Sequence, residues 1–173
     1  MNARTPRIPL AVLAGTLLSI GASAWSPTPA AAAVRVFVPP TSETPSLTVI
    51  RFNCSFRGSP DGSRTLIARS TPFGPKRLSI TVPSWDPNSH IRLRYGASAT
   101  DARVTVTVPG GAYTNANAGP PGSTVAGAMD YRGDILNIST AALYNAGGNG
   151  AARVSGSARC ESPQNAPPAA RRR

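Results

Sequence analysis

Arginine recurs at the polar positions of the alternating apolar stretches of this chain, and that placement is its main chemical signal. Arg51 and Arg57 alternate with Phe52, Cys54 and Phe56, and Arg77 opens a run in which Leu78, Ile80 and Val82 take the other positions. Arg92 and Arg94 alternate with Ile91, Leu93 and Tyr95, Arg103 precedes Val104, Val106 and Val108, and Arg153 and Arg159 flank Val154, Ala158 and Cys160. Successive side chains of a strand point to opposite faces, so these eight guanidinium groups face away from the apolar set. Gathered on one sheet they form a flat surface for bidentate recognition of phosphate or carboxylate. Divided between sheets, the same residues amount to solvation and protection of strand edges.

A second group of candidates lies in the connections. Tyr113, Asn115 and Asn117, with Tyr144 and Asn145, put rings beside amides, a combination that holds sugars by stacking and hydrogen bonding. Turn chemistry accounts for the same asparagines. Trp85, in the loop Pro83–Pro87, reads as an anchor over the core in preference to a stacking platform. Arg132-Gly133-Asp134 spells an adhesion tripeptide that works only at an exposed loop tip, and so short a match arises readily by chance.

Catalysis finds little support. His90 is the only histidine, so any Ser-His or Cys-His arrangement must use it. Asp86, Asn88 and His90 alternate, yet they are too few for calcium or zinc. Asp130 and Asp134 would serve as an acid–base pair only if they converged in a cleft. No glycine-rich phosphate loop is present. The expectation is therefore no enzyme, no metal and no cofactor.

The elements that position these residues are strands. Period-2 alternation dominates Thr48–Arg57, Arg77–Val82, His90–Tyr95, Arg103–Val108 and Arg153–Cys160, and no helical stripe appears. Weaker strands are expected at Val34–Val38, Arg64–Arg69, Ser123–Met129 and Asp134–Ser139, the last with a short helical turn to Tyr144 as its alternative. Turn signals such as Ser59-Pro60-Asp61-Gly62 and Val108-Pro109-Gly110-Gly111 separate them. The pattern predicts an all-β fold, an antiparallel β-sandwich that is immunoglobulin-like in the loose sense, with a small β-barrel as runner-up. Pro109–Ser123 reads as a long loop.

Cys54 and Cys160, the only cysteines, both fall on inward faces and are expected to form one disulfide. Residues 1–33 read as a signal peptide: Arg4 and Arg7 precede the apolar stretch Leu10–Trp25, and small residues follow. Cleavage is expected near Ala32 or Ala33, with Ala24 as the alternative. Residues 34–161 then form one domain without a transmembrane span, and 162–173 a disordered basic tail. Without Arg4 and Arg7 the chain keeps sixteen basic residues against seven acids, all but Lys76 being arginine.

Such a charge favours anionic partners: an anionic glycan, lipopolysaccharide or lipid. Specific nucleic-acid binding is disfavoured, because the arginines are not interleaved with exposed aromatic platforms. The leading expectation is an exported, periplasmic or extracellular, non-enzymatic module acting as a structural or adhesive part of the cell envelope, meeting another envelope protein through an edge strand. The alternatives are an anionic glycan or lipid binder using the Arg face, and a small hydrolase with a carboxylate site.

Overall fold

A computed structural model of the chain describes residues 32–40, 44–71, 74–87, 90–148 and 150–164. Eleven strands and no helix are found among them: β1 (Val34–Phe37), β2 (Leu47–Val49), β3 (Arg51–Gly58), β4 (Arg64–Thr71), β5 (Arg77–Val82), β6 (His90–Arg94), β7 (Arg103–Val108), β8 (Gly111–Thr114), β9 (Val125–Arg132), β10 (Ile135–Tyr144) and β11 (Ala151–Gln164). No helix among the described residues is long and apolar enough to cross a membrane. The expected signal peptide lies outside the described residues, apart from its last two positions.

The strands form one sheet in the order β2-β1-β11-β3-β4-β5-β7-β8-β10-β9-β6, with β11 also paired to β10. The pairings therefore run in a circuit from β11 through β3, β4, β5, β7, β8 and β10 back to β11. Its narrowest link is the single pair Tyr144↔Thr114. The inward residues make one core, in which Phe52, Leu66, Leu78, Ile80, Leu93, Met129, Leu136 and Leu143 are fully buried. Leucine and methionine fill most of these positions, and the β-branched Val34, Val36, Val49, Val104, Val106 and Val154 complete the core, as such residues pack well on a pleated surface.

One pairing departs from the expected antiparallel rule. β11 lies parallel to β3, with Arg159↔Arg51, Cys160↔Phe52 and Glu161↔Asn53 in register. A parallel pair needs a long crossover, and here the intervening strands supply it. The Cys54–Cys160 disulfide joins these neighbouring strands at a Cα–Cα distance of 5.4 Å, with both cysteines buried. It thus ties two adjacent strands of one sheet.

Three further boundaries differ from expectation. Pro109–Ser123 is not all loop, because Gly111–Thr114 is β8, closed onto β7 by the Pro109-Gly110 turn with Val108↔Gly111 as the last pair. Gly110 has φ 93°, which a glycine adopts without strain. The segment from Ile135 to Tyr144 is strand throughout, with no helical turn. β11 reaches Gln164, so the expected tail loses its first three residues to the strand; residues 165–173 lie outside the described residues.

β10 changes neighbours along its length. Ile135–Ser139 pair with β9, and Tyr144 pairs with β8. The switch falls at an irregularity between Ile138 and Ala141, where Thr140 has φ 37°. Gly127 of β9 lies beneath it: a Cβ there would sit 2.5 Å from the Thr140 carbonyl oxygen and 2.8 Å from Ala141 Cα. Backbone cannot retreat as a side chain can. Gly127→Ala is therefore expected to cost about 1–3 kcal/mol through overpacking, read as a lower denaturation midpoint. Gly58→Ala, with nothing within 4 Å of the new methyl, should leave that midpoint unchanged.

Candidate functional site

β3, β4, β5, β7 and β8 follow one another in the sheet, and their sequences contain no aspartate or glutamate. They carry six arginines: Arg51, Arg57, Arg64, Arg69, Arg77 and Arg103. Their outward residues align in rows across the strands. One row reads Asn53↔Arg69↔Ser79↔Thr105↔Thr114, and the next reads Ser55↔Ile67↔Thr81↔Arg103. All of these side chains except that of Ile67 carry hydrogen-bonding groups.

The arginines of this face differ in what already holds them. Arg51 Nη1 donates to Glu161 Oε1 at 2.6 Å, across the parallel ladder. Arg103 Nη2 donates to the carbonyl oxygens of Ala97 and Ser98, both at 3.3 Å, and its Nε is buried without a partner. Arg57, Arg69 and Arg77 are exposed, and among the described residues no carboxylate lies within ion-pairing distance of them. Each keeps its planar donor fork open to an incoming anion.

The face is concave where it is most polar. A depression of about 490 Å³ is lined by Ile67, Arg69, Arg77, Ser79, Thr81, Thr105 and Thr107. A smaller one of about 90 Å³ lies against Asn53, Ser55 and Arg57. Both include Ile67 and Arg69, so together they cross β3, β4, β5 and β7. Thr105 and Thr114 are already joined hydroxyl to hydroxyl at 3.2 Å.

The eight arginines of the candidate ladder do not all line these depressions. Arg51, Arg57, Arg77 and Arg103 lie on this face. Arg92 and Arg94 lie on β6 at the far end of the sheet order. Arg153 borders a depression with Phe37 and Pro39, and Arg159 borders another with Ile50 and Ile135. Arg159 Nε is also paired with Asp134 Oδ2 at 2.9 Å. Arg69 was missed by the spacing argument, since Ile67 shares its outward face and blurs the alternation of β4. Its signal was present only in the neighbouring strands.

The loop candidates mostly serve the fold. Asn115 is fully buried: its Oδ1 accepts from Val104 N at 2.8 Å, and its Nδ2 donates to the carbonyl oxygens of Arg94 and Ala102, both at 2.9 Å. That side chain has no surface left to offer a ligand. Asn117 Nδ2 donates to the Tyr144 carbonyl at 2.7 Å, and the Tyr144 ring meets Tyr95 edge-on at 5.7 Å. Asn145 sits in the following turn, where its carbonyl accepts from Gly148 N, and Tyr113 is half-buried against the core. Trp85 is an anchor: it is buried, with its ring 4.6 Å from Phe56 and 5.5 Å from Tyr131. Burial, with the Asp134 carboxylate adding to it, pushes the Tyr131 phenol above its ordinary range.

Asp130 and Asp134 are taken up by different partners. Asp130 Oδ1 accepts from Asn137 Nδ2 at 3.2 Å and lies 3.7 Å from Arg132 Nε, whereas Asp134 faces Arg159. Asp61 and Asp101 lock turns: hydrogen bonds from Ser63 and Ser98 hold their carboxyls below the usual range. Among the described residues no three His, Cys, Asp or Glu are placed to hold a metal ion. No family model matches this chain, and no curated protein or solved structure shows significant similarity to it.

Proposed function

We propose that this is an exported, non-catalytic binding module that recognises an anionic ligand through the outer face of β3, β4, β5 and β7. The observation that carries this reading is the run of five neighbouring strands with six arginines and no acid, of which the open Arg69 and Arg77 line one polar depression and the open Arg57 the smaller one beside it. Electrostatic attraction from such a face raises the local concentration of anions, and fixed guanidinium forks then orient them. Export is supported by the Arg4–Ala33 pattern and by the single disulfide of a chain with no other cysteine. The circuit of strand pairings favours a closed, barrel-like arrangement over two separate antiparallel layers.

The test compares two variants with the same loss of charge. Arg57, Arg69 and Arg77 all changed to Ser are expected to weaken binding to a sulfated-dextran matrix by about tenfold or more, equivalent to about 1.4 kcal/mol. Arg92, Arg94 and Arg153 all changed to Ser should retain it. Equal losses in the two variants would reduce the effect to net charge and sink the proposal.

A second reading, a structural or adhesive envelope module, is favoured by one feature. Among the described residues β6 ends the sheet order and pairs with β9 alone, which leaves an edge to accept a partner's strand.

A further inference from the structure

We infer that the ligand of this face is an extended acidic polysaccharide lying across the strands of β3, β4, β5 and β7. The inference rests on the anion-binding reading above and specifies its ligand class and direction.

Direction follows from the two depressions. They share Arg69 and Ile67, and the hollow they make runs from Asn53 and Arg57 on β3 to Thr105 and Thr107 on β7. Three strand spacings of about 4.8 Å make this about 14 Å long. The row Asn53↔Arg69↔Ser79↔Thr105 lies along it, one hydrogen-bonding side chain per strand. A chain with hydroxyls along its length meets an amide, a guanidinium and two hydroxyls in turn. Arg57 and Arg77, on either side of that row, are placed for its carboxylate or sulfate groups.

The side chains also separate a glycan from other polyanions. A lipid surface recruits exposed apolar or aromatic residues for insertion, whereas Ile67 is the only aliphatic side chain in the two rows. Single-stranded nucleic acid needs aromatic platforms, and none lines either depression. Hydroxyl and amide groups beside arginine suit a hydroxylated, anionic chain.

The test titrates the disulfide-intact protein with galacturonate oligomers, from the single sugar upward, beside inorganic sulfate and phosphatidylglycerol vesicles. Affinity is expected to climb with length until the oligomer covers about 14 Å, and then to level off. Asn53→Ala with Ser79→Ala, flanking Arg69 in the row, should weaken the long oligomers about tenfold and sulfate far less. If the single sugar or sulfate binds as tightly as the longest oligomer, the extended-chain inference is overturned while the anion-binding face stands. Binding to vesicles and to no oligomer would overturn the glycan class. If no anion is bound, or the triple change of Arg57, Arg69 and Arg77 alters nothing, the inference and the reading beneath it fall together.

Discussion

Replacing Cys54 and Cys160 together with Ala is expected to lower the stability of the folded protein by about 2–5 kcal/mol. The two residues are 106 positions apart, so the bond closes nearly the whole described chain into one loop. In the chain-entropy view a loop of about 100 residues restricts the unfolded state by up to ~4.7 kcal/mol. A domain of this size has a net stability of about 5–15 kcal/mol. The bond also reinforces a weak place. The parallel β3–β11 ladder has four paired positions and a register shift after Glu161, and nothing local in sequence brings its strands together. Urea unfolding followed by Trp fluorescence should show a lower midpoint and a steeper dependence on denaturant, because the uncrosslinked chain exposes more surface on unfolding. An unchanged midpoint would mean that packing of Phe52 and the surrounding core suffices to hold β3 against β11.

Asn115→Ala is expected to cost about 3–5 kcal/mol, although it removes only a small polar side chain. The amide is fully buried and satisfies three backbone groups: the N–H of Val104 and the carbonyls of Arg94 and Ala102. Each buried group left without a partner costs about 1–3 kcal/mol. Those groups belong to the end of β6 and the start of β7, which are not neighbours in the sheet. The change should therefore unfasten the edge strand as well as lower the midpoint. Faster amide exchange across residues 90–104 is the measurement that shows it. Asn115→Asp keeps the size and the acceptor for Val104 N but turns an oxygen toward two carbonyls, so it should rescue nothing. Full stability of the Asp variant would show that volume, and not hydrogen bonding, is what position 115 requires.

Much of the strand content was legible because β3, β5, β6 and β7 alternate large apolar residues with Arg, Ser and Thr. The inward placement of both cysteines came from the same alternation, and the disulfide followed because only one pairing exists. β8 was not legible. Gly111-Ala-Tyr-Thr has little apolar patterning of its own and is a strand because β7 offers it a ladder. The bulge at Thr140 was equally hidden, since it arises where β10 passes from β9 to β8.

The candidate site was half legible for a related reason. Alternation showed that Arg51, Arg57, Arg77 and Arg103 face outward, but it said the same of Arg92, Arg94, Arg153 and Arg159. Strand order sets Arg92 and Arg94 apart on β6, whereas Arg159 lies directly across from Arg51 and is set apart by its pairing with Asp134; strand order also brings in Arg69, which lines both depressions. Asn115 shows the reverse case, an apparent loop amide that the tertiary structure buries.

That this protein is built of strands, which side of the main strands faces the core, and that its two cysteines pair can be read from the residues alone. These are properties of each residue and its near neighbours, set by the two-residue period of an extended backbone. The tertiary structure decided which strands lie side by side, that β11 meets β3 in parallel, and that the acid-free strands adjoin one another. Those outcomes depend on contacts between residues far apart in the chain, where every strand has the same backbone groups to offer and only the packing of the whole core selects among partners.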